Sequence, residues 1–333
     1  MSDGLLLAVD GGNTKTLAVV ATPDGRVAGT GRGGCSDIYN AASPAAALDA
    51  VEVAARGALA EAGAGSDTVV AAAFSLAGAD WPEDFALLER ELPERLGLRD
   101  TPIVVNDALG ALRSGSSERW EGVAVVSGTY NAVGARRADG SVFHLGFWPD
   151  GAGARNLADE ALKAVYRAEL ELGPATSLTA LALDLYGVAD PIALLHEFTR
   201  RGGLQAGDRD RLAPLVLDAA DAGDAVARDI VVGKGRILGG QARACAQRAG
   251  LALEGTLVVM TGGVMRHPSG LLAGAVMAEL PGAEPVRPAV PPVIGALLLA
   301  FDRLGVAADA GALAAGVDFD ARSPGWLGSP STA

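Results

Sequence analysis

Cysteine is almost absent from this 333-residue chain, which has Cys35 and Cys245 and no others. Two thiols cannot build a disulfide framework or, within one chain, a cysteine-based metal cluster. Three histidines, His144, His196 and His267, stand far apart and give no ligand spacing for a metal triad. Long apolar runs are missing too, since stretches such as 4–9 and 296–300 fall far short of a bilayer span. Basic charge is in deficit: 27 Lys and Arg face 40 Asp and Glu, a formal net charge of −13. That balance repels nucleic acid and anionic membranes. The arginines are scattered rather than striped, so neither a nucleic-acid nor a membrane partner is expected. No basic region precedes the short apolar start, which predicts no signal peptide and a cytoplasmic location.

Half of the residues are apolar, with 45 Gly and 17 Pro. The length suggests two domains, each large enough to bury a core. Apolar runs at 5–9, 16–21 and 26–31, separated by Gly11-Gly12-Asn13 and Pro23-Asp24-Gly25, predict three strands joined by tight turns. Ser43-Pro44 reads as an N-cap followed by Pro at the first helical position. Leu48, Val51, Ala55 and Leu59 then recur at helical spacing up to Gly63. A strand at 69–74, a helix at 84–96, a strand at 103–105 and a helix at 108–113 complete a mixed sheet flanked by helices. Strands then restart at 122–126, 132–136 and 142–145, helices run from 154 to about 250, and one more strand falls at 258–260. Two strand-rich starts, each followed by helices, indicate a duplicated α/β unit. The Gly/Ser/Pro-rich tail, 323–333, is expected to fray.

Four loops could carry chemistry. Asp10-Gly11-Gly12-Asn13-Thr14-Lys15-Thr16 joins two strands, whereas a P-loop or a dinucleotide fingerprint leads from a strand into a helix. Its paired glycines let backbone approach an anion, Asn13, Thr14, Lys15 and Thr16 supply donors, and Asp10 could hold hydrated Mg²⁺. An ordinary hairpin turn is an equal reading of that loop alone. Ser127-Gly128-Thr129 repeats the design in the second unit. Thr261-Gly262-Gly263-Val264 offers bare backbone against which a flat ring could lie. Asn106-Asp107 ends a strand where open α/β sheets bind ligands, and by local rules Asp107 could equally cap the helix that follows.

Taken together, these motifs resemble those of the BadF/BadG-type ATPase family, within the actin-like ATPase superfamily, over nearly the whole chain. The family includes N-acetylglucosamine and glucosamine kinases. The resemblance implies two duplicated ribonuclease H-like (actin-like ATPase) α/β domains with an interdomain nucleotide cleft. The first domain would span 1–117, joined by a C-terminal helix at about 292–307, and the second 118–291. It implies ATP and Mg²⁺ as cofactors, Asp10 through Thr16 as one phosphate loop and Ser127 through Thr129 as the other. Gly262, Gly263 and Val264 would border the adenosine. Asp107 would be the base for a sugar hydroxyl, its carboxylate already ionised near neutral pH. Sugar contacts would come from Ser36, Asp37, Asn40, Ser75, Ala77, Gly78, Asn106 and Asp150, with Trp148 stacking on the ring. A homodimer is a further expectation of the resemblance.

Two departures bear on function. The family's usual Ser-Gly-Thr-Gly-Ser appears here as Ser127-Gly128-Thr129-Tyr130-Asn131, where Tyr130 adds bulk. If the loop still cradles phosphate, Gly and Ser at 130 and 131 should be tolerated. The family's Gly-Asp-Glu-Gly-Ser is Pro149-Asp150-Gly151-Ala152-Gly153, which keeps the Asp and loses the Glu. The leading expectation is an ATP-dependent kinase acting on an amino sugar. Its alternatives are a non-catalytic nucleotide- or sugar-binding regulator and, less favoured, an ATPase activator of a dehydratase. The activator would need cluster-binding thiols, whereas Cys245 falls on an apolar helical stripe with Val226, Ile230, Ile237 and Gln241.

Overall fold

The structure, a computed structural model, describes residues 4–116 and 120–317. The 117/118 boundary and the 323–333 tail expected from the sequence lie outside the described residues. The first half runs β1 (Leu5–Gly11), β2 (Thr16–Ala21), β3 (Val27–Gly33), α1 (Pro44–Glu61), β4 (Val69–Leu76), α2 (Pro82–Leu96), β5 (Ile103–Asn106) and α3 (Asp107–Gly115). The second half opens with β6 (Gly122–Ser127), β7 (Asn131–Arg136) and β8 (Val142–Leu145). Helices follow: α4 (Ala154–Glu169), α5 (Leu178–Tyr186), α6 (Pro191–Thr199), α7 (Ala213–Asp221) and α8 (Ala225–Ala249). It closes with β9 (Leu257–Thr261), α9 (Leu271–Ala278), β10 (Glu284–Val286), α10 (Pro292–Leu304) and α11 (Ala310–Ala315).

The two halves repeat one topology. Among the described residues one sheet has the order β3-β2-β1-β4-β5 and the other β10-β9-β6-β7-β8. In each, the first three strands are antiparallel neighbours, and the last two lie parallel to the first. The duplicated α/β unit is therefore present. The short apolar runs become central strands because both faces of each sheet are covered by helices. Strand β10 has no apolar run and contains Pro285, which is tolerated because the strand lies at a sheet edge.

The local signals at helix starts hold where a side chain makes the cap. Ser43 accepts a hydrogen bond from the Ala46 amide at 3.1 Å, and Leu48, Val51, Ala55 and Leu59 are all buried. Helix α2 starts two residues earlier than its apolar spacing suggests. Asp84, in its first turn, turns back to accept from the Trp81 amide at 2.8 Å.

Helices α3 and α10 exchange sheets. Each follows the last strand of its own half, yet α10 packs on the first sheet, with Val293, Leu297 and Phe301 in one cluster with Leu6, Ala8 and Val19. Helix α3 presents Ala108, Ala111 and Leu112 to Ala124, Ala132 and Val259 of the second sheet. The two helices meet backbone to backbone: a Cβ at Gly295 would run into the Gly110 carbonyl and lie 2.7 Å from the Ser114 amide nitrogen. This exchange puts the carboxyl ends of both sets of parallel strands on one shared crevice.

Candidate active site

Strand alternation delivers the carboxylates to the crevice. Leu6 and Ala8 face α10, and Asp10 follows in the same parity at the strand's end, paired with Leu17 and Ser75. Strand β5 ends at Asn106, whose side-chain oxygen accepts from the Ala108 amide at 3.1 Å. The cap of α3 is thus Asn106, not Asp107, and Asp107 is the first residue of the helix. Asp107 keeps part of its surface open, but its Oδ1 is sealed and, among the described residues, takes no hydrogen bond. The Ser75 hydroxyl, fully buried, is likewise without a partner.

These carboxyls are not ordinary acids. Asp107 is pushed up to about 8, first by removal of water and then by the negative charges of Asp10, Asp80 and Asp37. Asp10 is raised to about 6 by the same loss of water, with Lys15 and Arg266 holding it down. The expectation of an Asp107 already ionised at neutral pH is therefore corrected: two neighbouring carboxyls on a poorly hydrated floor disfavour the charge.

The two strand-joining hairpins meet above this floor. The hydroxyls of Thr14 and Thr129 are hydrogen-bonded at 2.7 Å, one from each half. Not every expected donor is available. Thr16 donates to the Gly34 carbonyl at 2.8 Å and Ser127 to the Ala152 carbonyl at 2.8 Å, so both hydroxyls hold the protein's own backbone. Asn13 Oδ1 is buried and has no partner among the described residues. Gly262 has φ of 102°, and Val264 donates its amide to the Ser127 carbonyl at 3.0 Å, which seats the third glycine loop on the second hairpin. Arg266, five residues beyond the strand, carries positive charge from the second half to Asp10. No glycine or carboxylate pattern marked it in the sequence.

The altered residues of the second hairpin have clear positions. Asn131 Oδ1 accepts from the Ala152 amide at 2.8 Å, and its Nδ2 donates to Gln241 Oε1 at 3.1 Å. Gln241 in turn donates to the Asp150 carbonyl at 2.9 Å, so it belongs to a buried polar bridge rather than an apolar stripe. The Tyr130 ring is exposed and lies 5.7 Å from the Arg155 guanidinium carbon. Tolerance of Ser at 131 is therefore no longer expected, because Ser is too short for both bonds. Asn131→Ala should destabilise the protein by about 1–3 kcal/mol by leaving the Ala152 amide and Gln241 Oε1 unpaired. Thermal unfolding checks this, and an unchanged midpoint would remove the bridge from the account.

The expected acceptor contacts divide into two groups. Ser36 donates its amide to the Gly12 carbonyl, Ala77 donates to Gly11, and a Cβ at Gly78 would lie 2.8 Å from the Ile38 amide, so these loops converge. Asp37 accepts from the Tyr39 amide at 2.9 Å and from Asn40 Nδ2 at 2.8 Å, and is occupied within its own loop. Trp148 and Asp150 are exposed, and the aromatic contact is made by Phe147 instead, with ring centroids 4.5 Å from Tyr39 and 6.5 Å from Trp81. That contact joins the two halves, as Thr14 and Thr129 do at the hairpins.

Two glycine-bearing hairpins apposed across two copies of one sheet, with carboxylates on the floor between them, define an ATPase-type cleft of the actin-like fold. A family model described as the BadF/BadG/BcrA/BcrD ATPase family matches residues 7–300, and the chain belongs to that family. The chain is 27% identical over 320 residues to an N-acetyl-D-glucosamine kinase of Dictyostelium discoideum, covering 91% of this chain and 99% of that protein. It is 26% identical over 266 residues to an N-acetylmuramic acid/N-acetylglucosamine kinase of Clostridium acetobutylicum, covering 79% and 86%. A crystal structure from Chromobacterium violaceum, provisionally described as an N-acetylglucosamine kinase, superposes with a TM-score of 0.68 at 25% identity, covering 90% of this chain and 99% of that one.

Proposed function

We propose that this protein is an ATP-dependent kinase that phosphorylates a hydroxyl of an amino sugar of the N-acetylglucosamine class, a small-molecule acceptor met in the cytoplasm. The observation that carries the reading is Asp107, whose sealed oxygen has no hydrogen-bond partner among the described residues, just beyond the end of β5. In this reading Asp107 takes the hydroxyl proton as the sugar oxygen bonds to the γ-phosphorus of ATP and the bond to ADP breaks. Phosphoryl transfer asks little covalent chemistry of the protein, so placement and charge neutralisation dominate. Gly12, Gly128 and Gly263 support this division of labour: a Cβ at Gly12 or Gly128 would come no closer than 3.7 Å to any neighbour, and one at Gly263 would meet none. The fold does not demand glycine there, while backbone approach by a phosphate or an adenosine does. Lys15 and Arg266 would add positive charge beside the phosphates.

Among the described residues no cluster of three or more His, Cys, Asp or Glu could hold a metal by itself. Asp10, near the end of β1 with Lys15 and Arg266 beside it, instead suits a Mg²⁺ that keeps its waters and takes its remaining ligands from phosphate. When bound it would offset phosphate charge, and Asp10 would hold it through water.

The activator alternative loses ground because Cys245 is fully buried, donates to the Val133 carbonyl at 3.6 Å and has its thiol pushed up to about 12 by burial. A coupled assay across a sugar panel tests the proposal. ADP release should require ATP·Mg²⁺ and an amino sugar together. Binding of both without release would favour the non-catalytic regulator.

A further inference from the structure

Asp80 stands in the crevice without an assigned role. It follows β4 by four residues and lies outside the expected sugar contacts. Its Oδ1 accepts from Asn106 Nδ2 at 3.1 Å, and Asn106 is the residue immediately before Asp107. Its amide donates to Asp84 at 3.2 Å, and its carbonyl is bonded to His144 Nε2 at 3.0 Å from the second half. A Cβ at Gly146 would run into the Asp80 carboxyl, so that glycine lets the second half close directly onto it.

The neighbouring carboxylates are accounted for. Asp37 is held by Tyr39 and Asn40, and Asp84 accepts from the Tyr39 hydroxyl at 2.8 Å and from the Trp81 amide at 2.8 Å. Asp80 is only partly buried and has one oxygen on Asn106, and among the described residues its Oδ2 takes no protein hydrogen bond. The sealed Asp107 Oδ1 and the partnerless Ser75 hydroxyl mark the same crevice as one whose polar atoms are not satisfied from within. Burial beside Asp37 and Asp84 raises Asp80 to about 7, which a hydroxyl donor would counteract by favouring its charged form.

We propose that Asp80 is a specificity-determining residue of the acceptor site, its Oδ2 accepting a hydrogen bond from a hydroxyl adjacent to the one that Asp107 deprotonates. The inference rests on the kinase reading and narrows it. The acceptor is a sugar with neighbouring hydroxyls, one for each carboxylate, and Asn106 sets the spacing between them. Closure of the second half through Gly146 and His144 puts the Asp80 carboxylate in place.

Asp80→Asn tests this in the full-length protein with N-acetylglucosamine and its monodeoxy analogues at C3, C4 and C6. Asn keeps the size and an oxygen for Asn106, so folding should survive, and an unchanged unfolding midpoint verifies it. A hydrogen bond to a charged group corresponds to roughly 10- to 100-fold in affinity. KM for the intact sugar should rise by that factor, while the KM for ATP stays nearly constant. The wild type should discriminate against one monodeoxy analogue by the same factor, and Asp80→Asn should lose that discrimination, as in a double-mutant cycle. Gly146→Ala, which displaces the carboxyl from the other side, should reproduce the rise in KM. Full discrimination retained by Asp80→Asn would overturn the assignment of Asp80 alone. No ADP release by the wild type with any acceptor would overturn the kinase reading and this inference with it.

Discussion

Asp107→Asn is expected to lower sugar-dependent ADP release by ~10² to 10⁴-fold, the usual cost of losing a general base. Nucleotide should still bind. The substitution leaves the helix start intact, because Asn106 rather than Asp107 caps α3. Stability should not fall, since the variant removes an acid whose charged form is disfavoured by its surroundings. Activity and stability thus move separately, and a global packing defect could not do that. A variant with normal turnover would exclude Asp107 as the base and turn attention to Asp150.

The same residue sets a pH dependence whose sign is fixed. Asp10, Asp80 and Asp107 are raised to about 6, 7 and 8 from 3.8. Between pH 4 and 8 the folded protein therefore holds protons that the unfolded chain has released. Stability without ligands is greatest below pH 4 as far as these groups are concerned, and declines as pH rises through that window. Asp107→Asn should flatten the decline and raise the unfolding midpoint above wild type at pH 8. Catalysis has the opposite trend: kcat/KM should climb towards pH 8, because the free enzyme needs Asp107 ionised. Unfolding midpoints and kcat/KM measured across this range check both slopes.

Gly11 and Gly12, neighbours in one hairpin, should fail in different ways. A Cβ at Gly11 would run into the Ser36 hydroxyl and lie 2.6 Å from Leu76 Cδ2. Gly11→Ala should therefore cost about 1–3 kcal/mol, the range for overpacking a closely filled site. At Gly12 the nearest atom to a Cβ is the Lys15 carbonyl oxygen at 3.7 Å, an ordinary contact. Gly12→Val should fold nearly as the parent does and weaken nucleotide binding by about tenfold or more, because the side chain occupies the space left for phosphate. That factor corresponds to about one charge-assisted hydrogen bond. Calorimetric titration with ATP and thermal unfolding separate the two effects. Unchanged ATP affinity in Gly12→Val would remove the phosphate-loop assignment.

Periodicity and turn chemistry determined a large share of the fold by themselves. Leu48, Val51, Ala55 and Leu59 on α1, the Ser43 cap and the hairpins around Gly12 and Gly128 are short-range features, settled by spacing and backbone preference. So was the repeat of the strand pattern, because buried central strands need apolar runs, whereas the edge strand β10, which has none, carried no such signal. The candidate loops were legible for the same reason: paired glycines and carboxylates at strand ends are local. What only the tertiary structure decided is which atoms are left over. Thr16 and Ser127 have the local signature of phosphate donors, yet their hydroxyls donate to the Gly34 and Ala152 carbonyls. Asn131 looked like a departure from a phosphate loop and is a strut to Gln241 and Ala152. Asp80, Arg266 and Phe147 carry no local signature, and they matter because the second half closes on the first. The acidity of Asp107 is likewise a property of the assembled crevice, since it depends on lost water and on Asp10 and Asp80, 97 and 27 residues away in the chain. A sequence displays its donors and acids one by one, and the adjacency of β1, β4 and β5 in one sheet determines which of the acids share a floor.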